Sequence, residues 1–269
     1  MGDYPTSRKL CPESDGIKLV SCPVRQLFAP EFQSKDALRK NRLLLFWKMI
    51  FFAKAILFDM DGVLMDSTPS VERVWRAWAA KHGLDPDRVA GQAHGRRSIE
   101  TIRAVAQELA AEKENVIVEQ MEIEDKEGVT ALPGAAELLA NLPDDRFAIV
   151  TSATRPLAVA RLGYAGHSVP RHMITAEDVI HGKPSPEPFL KGAAALGFAP
   201  ADCLVFEDTP AGIASARAAC MQAVALQTTY PAHQLEAAHA IIRNLADVKA
   251  TLREENVILE VVSVPIVKS

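Results

Sequence analysis

The chain has 269 residues, 48% of them hydrophobic, with 30 basic against 34 acidic side chains and a formal net charge of −4. That balance gives nucleic acid and anionic membrane no electrostatic footing. Four scattered cysteines, with neither a CxxC pair nor a secretory leader, point to a reducing cytoplasm rather than a disulfide framework.

Residues 1–48 are compositionally separate from the rest. They carry nine basic and five acidic side chains, a net of +4 that leaves −8 on the remainder. They read as an N-terminal extension outside a fold that begins near Met49. The apolar stretch 43–58 is interrupted by Lys48 and Lys54 and is too short to span a bilayer.

That stretch ends in Ala55, Ile56, Leu57 and Phe58, a run expected to be a buried strand of a parallel sheet. Asp59 and Asp61 follow, two residues apart, with Gly62 allowing a tight turn. Ligands of such sheets sit at the carboxyl ends of strands, so both carboxylates face a crevice, and two clustered anions call for a cation.

Residues 67–132 are too many for a simple crossover and carry helical spacing. Residues 70–81 place Val71, Val74, Trp75 and Trp78 on one side, with His82 and Gly83 as the stop; 98–109 and 114–127 continue the pattern. The tryptophan stripe reads as core packing rather than a sugar-stacking platform. The polar loop 93–98, with His94, Gly95, Arg96 and Arg97, either reaches onto the strand ends or is solvated basic surface.

Three more strand ends follow. Phe147, Ala148, Ile149 and Val150 give way to Thr151, Ser152, Ala153, Thr154 and Arg155, where hydroxyls and free backbone N–H groups either hold phosphate oxygens or simply cap a helix. Lys183 stands in a loop stiffened by Pro184 and Pro186, either as a fixed cation or as a surface lysine. Residues 203–206 form another apolar run that ends in Glu207 and Asp208, hard oxygen donors suited to magnesium or helix N-terminal acids. Residues 256–269 have strand composition and would add an edge strand or cover apolar surface.

In this order the segments resemble the haloacid dehalogenase superfamily, specifically its phosphatase and phosphomutase branch with a helical cap, over residues 52–245. The resemblance implies an α/β fold, a doubly wound Rossmann-like parallel sheet formed by 49–66 and 133–255, with 67–132 as the inserted cap. It implies that Asp59 is a nucleophile forming an aspartyl-phosphate and that Asp61 is general acid and then base. Ser152 and Lys183 would hold the phosphoryl group. Asp59, Asp208 and the backbone carbonyl of Asp61 would bind Mg2+, with Glu207 supporting.

The loops 93–98, 150–155 and 175–179 are similar to those of the sugar and polyol phosphatases. Asp66, His94, Arg96, Arg97, Ala153 and Arg155 are then the expected substrate contacts, and the partner is a small phosphorylated sugar or polyol met by a monomer or weak dimer. The sister activity, hexose phosphomutase, generally has a histidine where this chain has Val71. A phosphate-binding regulator without turnover is the rival from another class, and the intact Asp59, Asp61, Lys183 and Asp208 argue against it. Cys220 stands where the family usually has glycine and requires either an ordinary φ or some strain.

Overall fold

The strand predicted at residues 55–58 lies inside a six-stranded parallel sheet, and the reason is visible in its neighbours. In the computed structural model, which describes residues 47–264, β1 (Trp47–Ala53) comes first, and a bend at Lys54 separates it from β2 (Ala55–Phe58), all four of whose residues are buried. Expectations for residues 1–46 lie outside the described residues; Trp47 and Lys48 belong to β1, so the described fold starts slightly before Met49.

The short β3 (Met65–Asp66) pairs antiparallel with β4 (Thr130–Ala131), and four helices lie between them. They are α1 (Thr68–Lys81), α2 (Pro86–Ala93), α3 (Ser98–Val105) and α4 (Ala111–Glu124). Val71, Val74, Trp75 and Trp78 recur at helical spacing on α1 and bury themselves in a core that these helices build among themselves. The two indole rings meet edge-on at 5.6 Å, and Trp78 Nε1 donates to Glu114 at 2.9 Å. Helix α2 was not anticipated, although Asp85 before Pro86 is a legible start: its carboxylate accepts from the backbone of Asp87 and Arg88.

The chain then returns to the sheet through α5 (Ala135–Ala140), β5 (Phe147–Val150), α6 (Arg155–Tyr164), β6 (Met173–Ile174), α7 (Glu187–Leu196), β7 (Cys203–Glu207), α8 (Pro210–Ala218), β8 (Gln222–Leu226) and β9 (Ala240–Ile242). The sheet order is β6-β5-β2-β7-β8-β9, all parallel, with β2 hydrogen-bonded on both edges. Separate apolar cores cover its two faces. Continuous apolar runs rather than alternation are what such double coverage requires.

Of the two expectations for the C-terminal segment, covering apolar surface holds, with Val257, Leu259 and Val261 packed into the core of the large sheet, and the edge strand does not. β11 (Asn256–Ser263) is not an edge strand but the middle of a second, antiparallel sheet, between β1 and β10 (Val248–Arg253). Val257, Leu259, Val261 and Ser263 alternate into the interior. Ser263 Oγ and the Val264 N–H both reach the Ile241 carbonyl, stitching this sheet to β9. Cys220 takes the strained option, with φ 58° in the left-handed region just after α8. Among the described residues no helix is long and apolar enough to cross a membrane.

Candidate active site

Parallel pairing sets the site. Phe58 lies opposite Phe206, so the residues that follow, Asp59 on one strand and Glu207 on the other, end side by side. The end of β5 delivers Thr151, Ser152 and Ala153 beside Asp59, Asp61 and Leu157 in one pocket.

Lys183 enters from the loop before α7, and its side chain is 1% exposed. Its Nζ donates to Asp59 Oδ1 at 2.7 Å and to Glu207 Oε1 at 2.6 Å. Burial opposes the ammonium charge, but Asp59 and Glu207 outweigh it and hold the lysine above its usual range. Glu207 Oε2 accepts from the backbone of Asp208 (2.8 Å) and Thr209 (2.7 Å) and from the Thr209 hydroxyl (2.9 Å). Thr209 also caps α8 through Gly212 N, and Pro210 opens that helix. Glu207 is therefore occupied on both oxygens and fixes Lys183 against the helix start.

Asp59, Glu207 and Asp208 are buried, each offering an oxygen within 4.8 Å of the others'. Burial raises Asp59 to about 7; Lys183 pulls it down while Glu207 and Asp61 push it up. Burial, then Glu207 and Asp59, raise Asp208 well above the usual carboxylate range. Asp208 Oδ1 is buried without a hydrogen bond among the described residues. An ideal Cβ at Gly62, whose φ is +76°, would stand 2.0 Å from Asp208 Oδ2, so glycine is what lets the turn approach this carboxylate. Hard oxygen donors, an orphaned carboxylate oxygen and excess negative charge fit a divalent cation such as magnesium.

Above this floor the loop between α2 and α3 closes the pocket. His94, Gly95, Arg96 and Ser98 line it with Val71 and Trp75, and Ser152 Oγ donates to the Gly95 carbonyl at 3.3 Å. Burial lowers the His94 pKa, so its imidazole is neutral near pH 7.

Three expected substrate contacts lie elsewhere. The Arg97 guanidinium is turned away, paired with Glu100 and donating to the carbonyls of Val179 and Ile180. Arg155 is held by the Met173 carbonyl and Asp178, with its backbone N–H on Glu177. Asp66 Oδ1 accepts from Thr68 N at the start of α1. None of the three lines the pocket.

Sequence reasoning missed Ser67, Glu122 and Arg161. Ser67 Oγ donates to Asp61 Oδ1 at 2.6 Å, and Arg161 Nη1 reaches the same oxygen at 3.1 Å. The available signal was an arginine on the α6 stripe of Leu157, Ala158 and Leu162 that should be apolar.

The model of the haloacid dehalogenase-like hydrolase family matches residues 53–219. Hexitol phosphatase A of Escherichia coli is 40% identical over 74% of this chain and 94% of its own. Glycerol-1-phosphate phosphohydrolase 2 of Saccharomyces cerevisiae is 35% identical over 65% of this chain and 75% of its own. Among solved structures, β-phosphoglucomutase from Clostridium difficile superposes with a TM-score of 0.62 over 73% of this chain and 93% of its own, at 23% identity, a likeness of fold.

Proposed function

The chain belongs to the haloacid dehalogenase-like hydrolases, and from that premise we propose that it is a magnesium-dependent phosphatase of small phosphorylated sugars or polyols. The observation that carries the reading is the buried Asp59–Lys183–Glu207 chain, whose Asp59 opens onto a pocket roofed by polar loop residues. The named activities of the two relatives favour the substrate class. In this reading residues 67–132 act as a cap over a core of 49–66 and 133–255, with β1 and β11 extending that core at both ends.

Asp59 Oδ1 is engaged by Lys183, which leaves Oδ2 as the nucleophilic oxygen. It attacks phosphorus in line, the ester P–O bond breaks, and Asp61 gives a proton to the leaving alkoxide. A water then attacks phosphorus of the aspartyl-phosphate, Asp61 takes its proton, the bond from Asp59 oxygen to phosphorus breaks, and inorganic phosphate leaves with the Asp59 carboxylate regenerated. Lys183 offsets the charge on the phosphoryl oxygens, while the Ser152 hydroxyl and nearby backbone N–H groups hold them. Asp59, Asp208 and the Asp61 carbonyl would hold magnesium, which when bound supplies further positive charge against the phosphoryl group.

Two readouts test the proposal. Purified protein incubated with phosphorylated sugars and polyols should release phosphate, and Asp59→Asn should abolish release with the fold intact. Wild-type turnover by the Asn variant would sink the mechanism. Val71, an apolar member of the pocket where a phosphomutase generally has histidine, supports hydrolysis over isomerisation. Efficient isomerisation of β-glucose-1-phosphate without phosphate release would reverse that ranking.

A further inference from the structure

Arg161 is a buried charge between two acids that come from different parts of the chain. Its side chain is 5% exposed; Nη1 donates to Asp61 Oδ1 at 3.1 Å and Nη2 to Glu122 Oε1 at 3.2 Å. Asp61 sits on the turn after β2, Arg161 on α6, and buried Glu122 on α4, one of the helices inserted between β3 and β4. Arg161 Nε makes no hydrogen bond among the described residues, so the guanidinium depends on these two carboxylates.

A planar guanidinium has fixed donor directions, and it can serve two carboxylates only when both stand in place. Ser67 and Arg161 both bind Asp61 Oδ1, which leaves Oδ2 outside both bonds. We propose that the Glu122–Arg161 pair is a positioning device for Asp61, through which the inserted helices set the oxygen that exchanges a proton with the leaving group. This rests on the aspartyl-phosphate reading above. In the first step Asp59 oxygen bonds to phosphorus, the ester oxygen leaves with its electron pair, and the Asp61 Oδ2 proton moves onto it. Misplacing Asp61 therefore penalises an alkyl alcohol, which needs that proton, more than p-nitrophenolate, which leaves without it.

The test is single-turnover formation of the phosphoenzyme from glycerol phosphate and from p-nitrophenyl phosphate, with magnesium. Glu122→Gln and Arg161→Lys should slow the glycerol phosphate step by about tenfold or more, a fraction of what general acid catalysis contributes. The p-nitrophenyl phosphate step should slow by less than about threefold, with KM for either ester changing little. Placed on Asp61→Asn, Glu122→Gln should add no more than about twofold, the margin within which independent effects are read.

Either single change strands a buried charge, so Arg161→Met with Glu122→Leu, which removes both charges and keeps the volume, is made alongside and should show the same leaving-group dependence. Equal losses with both esters, or full additivity on Asp61→Asn, would overturn the positioning role. Absence of any phosphoenzyme from the wild-type protein would overturn the reading of Asp59, and this inference with it.

Discussion

Replacing Gly212 by alanine sets two effects of opposite sign against each other. Gly212 is the third residue of α8 and has ordinary helical backbone, so propensity alone predicts that alanine stabilises by about 1 kcal/mol. An ideal Cβ there would stand 1.7 Å from Glu207 Oε1, 1.9 Å from Cδ and 2.5 Å from Oε2. Ordinary contact begins near 3.4 Å, so the carboxylate must retreat by about 1.7 Å. That breaks the bond from Lys183 Nζ and loosens those from Asp208 and Thr209. A charged hydrogen bond is worth about 1.5–3 kcal/mol, and stranding a buried charge costs about 3–5 kcal/mol. After the helix gain the net loss is about 2–4 kcal/mol, roughly 5–15 °C in Tm for a chain of this size. Lys183 would also drift from Asp59, lowering kcat by about tenfold to a hundredfold. Calorimetry and phosphate release measure both. A raised Tm with full activity would show that Glu207 does not occupy the space beside α8.

Three other expectations follow from the same geometry. Raised in the folded state from an unfolded value of about 3.9 to about 7, Asp59 contributes stability to the metal-free protein that is full below about pH 4 and lost as pH rises through about 7. Magnesium, which needs the ionised form, should therefore raise Tm more at pH 8 than at pH 5.5, and an equal or opposite dependence in thermal shift would refute this. Arg96→Ala should lower kcat/KM for the best sugar phosphate by about tenfold or more but affect p-nitrophenyl phosphate much less, whereas Arg97→Ala, lacking a pocket contact, should act on both alike. Cys220→Gly should stabilise by about 0.5–1 kcal/mol and Cys220→Val should destabilise, read from urea midpoints; the reverse order would dispute the left-handed backbone there.

The floor of the site was legible because it depends on strand ends. Apolar runs before Asp59, Thr151 and Glu207 placed those residues at one edge of a parallel sheet, and parallel register then made Asp59 and Glu207 neighbours. The tryptophan stripe on α1 was legible for the same reason: period and burial are properties of one segment. The roof was not. Arg97 sits in a loop that does cover the pocket, yet its long side chain found Glu100 and two backbone carbonyls more than 80 positions away in sequence, and loop placement does not fix a rotamer. Arg161 was passed over because its two acids lie 39 and 100 positions away: Glu122 meets it only when α4 packs on α6, and Asp61 only when the turn after β2 folds against α6. Strand composition at 256–263 was visible, but its pairing with β1 was not, since both partners come from opposite ends of the described chain.

That last pairing bears on how the protein is made. β1 reads WKMIFFA, and its sole strand partner among the described residues is β11, with Trp47 opposite Ser263. A ribosome delivers β1 first and β11 more than 200 residues later, an interval of about 10–40 s at typical elongation rates. Throughout it an apolar strand with open backbone edges waits in the cell, the kind of segment that templates aggregation and recruits chaperones. Premature termination anywhere before residue 256 would leave that strand permanently unclaimed, so incomplete chains should enter inclusion bodies even when every catalytic side chain has been translated.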